Sequence, residues 1–214
     1  MSLVITDEIL ELEFFGHKYI APAWYGFHDR IEPDSRDRFL APYSGDVMLD
    51  IGGGVGAWAM PSSFLFKQVY SFEPDKETRE SFRAVLRMNT QANIEIIPSL
   101  VSKYDAPLYN FNGWAVVEGE GTLASITIDA FKESLSIPKV DYIKIDVEGH
   151  ELEVLDGARE TLRRDKPIVM VEIHTFLGIE PSRVFEAMWK ANHKYIATVK
   201  WIENYAHALF QVIP

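Results

Sequence analysis

The chain has no cysteine, which removes disulfides, thiolate metal sites and cysteine nucleophiles together. It lacks any apolar run approaching the roughly 20 residues of a bilayer span, so no membrane crossing is expected. Basic residues are scarce: 21 Lys and Arg stand against 32 Asp and Glu, a formal net charge of −11 with no local basic patch. Such a surface repels phosphate backbones, so nucleic acid is not an expected partner, whereas a cationic cofactor or a neutral small substrate is electrostatically acceptable. Met1 to Glu8 carry acid where a secretory leader carries Lys or Arg, and the expectation is a cytoplasmic protein. Internal repeats and low-complexity tracts are missing too. What is there, 47% hydrophobic and 25% charged residues over 214, reads as one globular domain from residue 46 to 214 with an N-terminal extension over 1–45 packed on or over it.

One stretch organises the rest. Val47-Met48-Leu49-Asp50-Ile51-Gly52-Gly53-Gly54-Val55-Gly56 reads as a buried parallel strand breaking into a glycine turn that opens a helix. The turn leaves room for a ligand where side chains would collide with it. Gly52 to Ala57 also satisfies the loose dinucleotide pattern G-x-G-x-x-G/A. Glu73, in Phe72-Glu73-Pro74 at the end of the next strand, lies nineteen residues beyond Gly54. A carboxylate there can accept both ribose hydroxyls of an adenosine, whether the cofactor is NAD or S-adenosylmethionine.

From Val47 onward strands and helices alternate, the pattern of a parallel sheet with helices on both faces. The spacing predicts a helix over 57–66 bent near Pro61, a strand over 68–73 and a helix over 76–90 capped by Asp75. A third strand is expected over 93–98. The segment 104–122, with Pro107, Gly113, Gly119 and Gly121, reads as short antiparallel strands inserted where a helix was due. A strand at 125–128 leads to a short helix capped by Asp129. A fourth core strand over 141–147 turns into a helix reaching Arg164, and a fifth strand runs over 166–174 before a helix over 181–192. The last two strands, 194–201 and 208–213, are joined too closely for a crossover helix and form an antiparallel hairpin. Before the core, two strands turning near Gly16 and a helical turn over 34–39 are expected. The aromatics Trp24, Tyr25, Phe27 and His28 read as an apron packed on the sheet in preference to a substrate lid.

In open α/β sheets ligands sit beyond the carboxyl ends of the strands. The sequence puts Asp50 and the glycines, Glu73, Asp146 with Glu148, and Glu172 with His174 at such ends. The glycines and Glu73 are then binding residues, and Asp146 faces the group being modified.

At these residues the chain resembles the FkbM family of S-adenosylmethionine-dependent methyltransferases. The resemblance rests on Asp50-Ile51-Gly52-x-x-x-Gly56, Phe72-Glu73-Pro74, the specific Ile143-Lys144-Ile145-Asp146-Val147-Glu148-Gly149-His150-Glu151, and Val154-Leu155-Asp156-Gly157-Ala158. It covers residues 45 to 175 and departs at Gly53-Gly54, where members usually carry Ala-Asn, and across 104–122. It implies a class I methyltransferase fold, a Rossmann-like three-layer α/β sandwich. Its mostly parallel sheet has order 3-2-1-4-5-7-6 and an antiparallel terminal hairpin. The implied activity is O-methylation of a hydroxyl on a small metabolite or sugar, with S-adenosyl-L-methionine as cofactor. Carried over residue by residue, Gly52, Gly54 and Gly56 admit the methionine part of the cofactor. Asp50 orients the loop or receives the amino group, Glu73 holds the ribose, and Ser99, Leu100 and Val101 lie near the adenine. Asp146 is the catalytic group, with His150 as the alternative base. Glu172 and His174 share one face of strand five and could join Asp146 and His150 in a mixed O/N metal site. A hydrogen-bonded substrate pocket is the preferred reading, so no metal ligand is assigned. Two other readings compete: an NAD-dependent oxidoreductase, which leaves 145–149 unexplained and lacks a Tyr-x-x-x-Lys pair, and a non-catalytic nucleotide-binding module.

Overall fold

In the computed structural model, which describes residues 9–26, 33–91, 93–105, 109–111, 116–118, 123–202 and 205–212, the first described element is a hairpin. Strands β1 (Ile9–Phe14) and β2 (His17–Pro22) pair antiparallel across a Phe15-Gly16 turn whose φ angles are both positive, 48° and 79°. That handedness matches the twist of the flanking strands. A helix comes next, α1 (Pro33–Phe39). The core then opens with β3 (Gly45–Ile51), α2 (Ala59–Ser62), β4 (Phe66–Phe72), α3 (Lys76–Arg87) and β5 (Ile94–Ile97). After these lie the small strands β6 (Leu100–Val101), β7 (Tyr109–Phe111), β8 (Val116–Glu118) and β9 (Ser125–Ile126), and helix α4 (Ile128–Ser134). The second half comprises β10 (Tyr142–Ile145), α5 (Glu151–Asp156), α6 (Arg159–Asp165), β11 (Ile168–His174), α7 (Pro181–Lys190), β12 (Lys194–Ile202) and β13 (Tyr205–Gln211).

Seven strands form one sheet in the order β12-β13-β11-β10-β3-β4-β5, parallel except where β13 pairs antiparallel with both β11 and β12. This is the expected class I order, read from the opposite edge. The strands need both faces covered, and alternation along them shows how. Val47, Leu49, Ile51, Ile143, Ile145, Val169 and Val171 point into one core layer. Met48, Val69, Tyr142, Met170 and Leu209 point into the other, together with Phe14, Tyr19, Tyr25 and Phe39 from the N-terminal segment. Each fully buried aliphatic side chain stabilises the fold by about 1.5–3 kcal/mol. The second layer changes character toward the carboxyl ends of its strands. There the same face presents Ser71, Asp50, Lys144, Glu172, His174 and His207, all buried. A polar shelf under cover is the structural ground of the site.

Several expected elements differ in the structure. The helix expected over 57–66 is a single turn, Ala59–Ser62, and β4 already begins at Phe66. Pro61 lies inside that turn, and the Ser62 and Ser63 hydroxyls donate back to the carbonyls of Trp58 and Met60, an alternative that competes with continued helix. The helix expected to run to Arg164 breaks at Gly157-Ala158 into α5 and α6. A Cβ at Gly157 would stand 2.1 Å from the Ser102 carbonyl oxygen, so close packing sets the break. Thr127 caps α4, accepting from Ala130 N–H, while Asp129 accepts from the N–H groups of Glu160 and Thr161 and the Thr161 hydroxyl at the start of α6. Asp75 caps α3 as expected, accepting from Thr78 N–H. The insertion contains the antiparallel pair β7 and β8. Tyr25 is fully buried, with its hydroxyl donating to the Gly56 carbonyl, so this aromatic packs against the glycine turn and does not act as a lid. Phe27 and His28 lie outside the described residues.

Candidate active site

A cavity of about 210 Å³ opens at the carboxyl ends of β3, β4 and β10. Gly52, Gly54 and Glu73 line one side, Ser99, Leu100 and Val101 another, and Asp146, Val147 and Glu148 a third. A larger cleft, about 650 Å³, lies between α5–α6 and α7 and alternates Arg159, Glu160, Arg163 and Glu186 along its wall. It lies on the helix layer, whereas the smaller cavity opens where ligands sit in open α/β sheets, beyond the carboxyl ends of the strands.

The glycine turn is built by close approach. Gly52 and Gly53 both donate to the Phe72 carbonyl, drawing the turn over the end of β4. The glycines divide into two kinds. A Cβ at Gly52 would lie 1.7 Å from the Asp146 carbonyl oxygen, at Gly53 1.9 Å from Ser71 Oγ, and at Gly56 2.2 Å from the Phe82 ring. At these positions glycine is required by the protein's own packing, whatever the backbone of Gly52 offers to the cavity it lines. Gly54 alone among the turn's glycines meets nothing within 4 Å, and it lines the cavity. That is the space a ligand would fill.

Glu73 is 8% exposed, and its two oxygens accept from Gly54 N–H at 2.9 Å and Asp75 N–H at 2.8 Å. Burial raises its carboxyl above the ordinary value against the pull of those two donors. Each oxygen retains a second lone pair for a ligand hydroxyl. Asp50 is fully buried below the turn, where it accepts from Ser71 Oγ at 2.8 Å and faces Lys144 Nζ at 3.3 Å. Burial pushes its carboxyl up, with Lys144 opposing. Asp50 does not line the cavity. Its role here is to hold Ser71 and Lys144 under the loop.

Sequence reasoning passed over Lys144. Its Nζ donates to the Gly52 carbonyl at 2.6 Å and lies 3.2 Å from Asp146 Oδ2, so one buried ammonium ties the glycine turn to the candidate catalytic carboxylate. The signal was present: a single lysine inside the apolar run of β10, where an unpaired charge would cost several kcal/mol.

Asp146 is a quarter exposed, on the cavity wall. Beside it Glu148 takes a left-handed φ of 51°, and burial lifts its carboxyl above the ordinary range against the influence of His174. His150 is turned elsewhere. Its Nε2 is 3.0 Å from Ser102 Oγ, its Nδ1 3.7 Å from Glu153, and it does not line the cavity. It locks the start of α5 to the segment after β6.

His174 is brought to Asp146 and Glu148 in its place. Its Nδ1 is 2.7 Å from Glu151 Oε1, and its Nε2 faces Glu148, Glu172 and Asp146 at 3.4, 3.6 and 3.8 Å. Burial opposes charge on this ring. The Glu151 hydrogen bond and the fields of Asp146, Glu151 and Glu172 outweigh it, pushing the ring up to about 9. Glu172 continues the contacts to His207 Nε2 at 3.0 Å, and His207 Nδ1 reaches Ser35 Oγ in α1. A buried polar chain thus runs from the N-terminal segment to the cavity wall. Ser35 and His207 carried no sequence signal that distinguished them from ordinary helix and strand residues, and Glu151 stood in the motif after β10 without a role of its own.

Comparison with known proteins places this arrangement. Over 157 residues the chain is 33% identical to the hexuronic acid methyltransferase AglP of Haloferax volcanii, a match covering 68% of this chain and 62% of that protein. The fold is similar to that of a methyltransferase FkbM from Methylobacillus flagellatus KT, with TM-score 0.58 and 17% identity over 80% of this chain and 45% of that one. It is equally similar to Aeropyrum pernix fibrillarin with natively bound S-adenosyl-L-methionine, with TM-score 0.58 and 16% identity over 94% of this chain and 81% of that one. The chain thus spans about three fifths of its curated relative and under half of the first structural one. No helix among the described residues is long and apolar enough to cross a membrane. The methyltransferase FkbM domain matches residues 50–196, a stretch that holds Asp50, the glycine turn, Glu73, Asp146 and His174 alike, and the chain therefore belongs to the FkbM-domain methyltransferase family.

Proposed function

We propose that this chain is an S-adenosyl-L-methionine-dependent O-methyltransferase acting on a hydroxyl of a sugar-like small molecule. The observation that carries the reading is the division of one cavity into two chemically different walls, Gly54 and Glu73 on one side and Asp146 and Glu148 on the other. The open space over Gly54, the buried carboxylate of Glu73 and the apolar Leu100 and Val101 suit an adenosine with a backbone-hugging tail. Glu73 would hold the ribose hydroxyls, Ser99 to Val101 would lie along the base, and Asp50 with Lys144 would keep the turn in place. The bound cofactor would supply an electrophilic methyl group on a sulfonium.

Methyl transfer is an in-line displacement, so much of the acceleration comes from holding the acceptor oxygen in line. Asp146, at the cavity wall and fixed by Lys144, would orient the acceptor hydroxyl and take its proton. Glu148 would be the second carboxylate within reach. His150 has no part in this scheme because it is committed to Ser102.

A sugar-like acceptor is supported by the likeness to AglP, a hexuronic acid methyltransferase. The net charge of −11 supports a small acceptor over nucleic acid. The division into an extension over 1–45 and a cofactor-binding domain over 46–214 belongs to the same reading, supported by the start of the main sheet at Gly45. An NAD-dependent reading shares the glycine turn and Glu73 but gives no part to the Asp146 and Glu148 wall. The test is mass spectrometry of ligand carried through purification, followed by incubation with S-adenosylmethionine and a panel of hexoses and hexuronic acids. The expected result is bound cofactor, release of S-adenosylhomocysteine and a product heavier by one methyl group. Tight NAD binding with no S-adenosylmethionine binding would overturn it.

A further inference from the structure

The His174 ring is 3% exposed and held in one orientation, because Nδ1 meets Glu151 Oε1 at 2.7 Å and that same oxygen accepts from Gly149 N–H at 3.1 Å. Its other nitrogen, Nε2, points into a space bounded by Glu148 Oε2 at 3.4 Å, Glu172 Oε1 at 3.6 Å and Asp146 Oδ1 at 3.8 Å. Charge-assisted hydrogen bonds close to about 2.7–2.9 Å. None of these oxygens approaches so near, the nearest being Glu148 Oε2 at 3.4 Å.

Three carboxylates and one imidazole nitrogen thus surround one point at separations longer than a charge-assisted hydrogen bond, and a divalent cation there would take the place of the proton on the ring. The other oxygens of two of them are occupied: Asp146 Oδ2 faces Lys144 at 3.2 Å and Glu172 Oε2 faces His207 at 3.0 Å. The oxygens turned toward His174 are therefore held there by separate partners.

The spacing fits ligands around a shared ion. Atoms each about 2.1 Å from a metal stand about 3.0 Å apart at adjacent octahedral positions and about 3.4 Å apart around a tetrahedral one. One atom each from Asp146, Glu148 and His174 lies within 4.8 Å of the others, so a movement of a few tenths of an ångström to about an ångström would close the set. A ligating histidine characteristically donates its second ring N–H to a carboxylate, and Glu151 is placed to accept it.

We propose that Asp146, Glu148 and His174 form a divalent-cation site, with Glu151 orienting His174 from behind. One imidazole nitrogen and two carboxylate oxygens suit an ion that accepts both donor types, such as Mn²⁺ or Zn²⁺. Asp146 and Glu148 line the cavity, so the ion's remaining positions would face the acceptor. A hydroxyl oxygen bound there gives up its proton more readily than in water. This inference rests on the reading of the cavity's Asp146 wall as the acceptor side.

The test titrates Mn²⁺ into chelator-treated full-length chain, with neither cofactor nor acceptor, followed by calorimetry and electron paramagnetic resonance. One tight Mn²⁺ per chain is expected, weakened at least tenfold by His174→Gln and by Asp146→Asn. Glu186→Gln, which removes an exposed carboxylate on α7, should leave the affinity unchanged. Circular dichroism checks folding, and Glu148→Gln serves if His174→Gln does not fold. No stoichiometric Mn²⁺, or equal affinity in all variants, overturns the site. Methyl transfer by the chelated enzyme without Mn²⁺ binding would sink the site and leave the proposed activity standing. Tight Mn²⁺ binding without S-adenosylmethionine binding would do the reverse.

Discussion

At the scale of single residues, the wall that would hold the cofactor is made of groups already engaged with the protein. Glu73 gives one hydrogen bond's worth of acceptor to Gly54 and one to Asp75, so it shapes the turn as well as facing the cavity. Glu73→Ala should therefore weaken S-adenosylmethionine by about 1.5–3 kcal/mol, the range for hydrogen bonds to a charged group, and lower thermal stability as well. Calorimetric affinity equal to that of wild type would remove the ribose role.

The glycines make a sharper contrast. Gly56→Ala drives a methyl group into the Phe82 ring and should destabilise the fold with or without ligand. Gly54→Ala meets no protein atom, though its left-handed backbone costs about 1 kcal/mol. Its main effect should be loss of cofactor-induced thermal stabilisation, and retention of that stabilisation would count against a ligand over Gly54. On the other wall, Asp146→Asn should lower kcat by about 10² to 10⁴ while moving cofactor affinity less than about tenfold. Near wild-type turnover on an established acceptor would take Asp146 out of the mechanism. The sequence placed Asp146 and Glu73 at strand ends, and both line the cavity there. Asp50 and His150 showed the same surface signal but face inward, and a sequence does not tell which side of a turn a side chain takes.

At the scale of elements, strands were read more accurately than helices. A strand buried on both faces is a near-continuous apolar run, and Val47 to Ile51 and Ile168 to Ile173, each broken by a single acid, announce themselves as such. The short helices are fixed by tertiary contacts that periodicity does not carry, as the Ser102 carbonyl under Gly157 shows. The capping of α4 illustrates the same point. Asp129 has the chemistry of a cap, but Thr127 performs that role and Asp129 reaches across to α6. Thr127→Ala should cost about 1 kcal/mol, the usual loss of an N-cap. Asp129→Ala forfeits three accepted hydrogen bonds that join two elements and should cost more, as urea denaturation would measure. The reverse order would return the cap to Asp129.

At the scale of the whole molecule, the sheet order came from the motifs and the closely spaced last strands, whereas the buried polar shelf did not. Asp50, Glu172 and His174 stood out singly at strand ends, Ser71 and His207 sit in strands that read as ordinary core, and the shelf exists only where five strands are laid side by side. Ser35, His207, Glu172 and His174 carry it from α1 to the cavity wall, so the N-terminal segment and the chemical site share one buried network. The network makes stability depend on pH in a definite direction. The His174 ring is pushed up to about 9 in the folded chain and returns to about 6.5 on unfolding, so folding takes up a proton between those values. Its contribution is complete below about pH 6.5 and is lost as pH rises through about 9, a change on the order of 3 kcal/mol. Asp50, Glu73 and Glu148 are carboxylates raised by burial, and each likewise favours the fold more at lower pH. Their share begins to disappear from the ordinary carboxylate range upward. Urea midpoints of chelator-treated protein should therefore fall steadily between pH 6.5 and 9, and the slope should flatten in His174→Gln. A wild-type midpoint constant over that interval, or an equal slope in the variant, would mean that the carboxylates around His174 do not hold its proton.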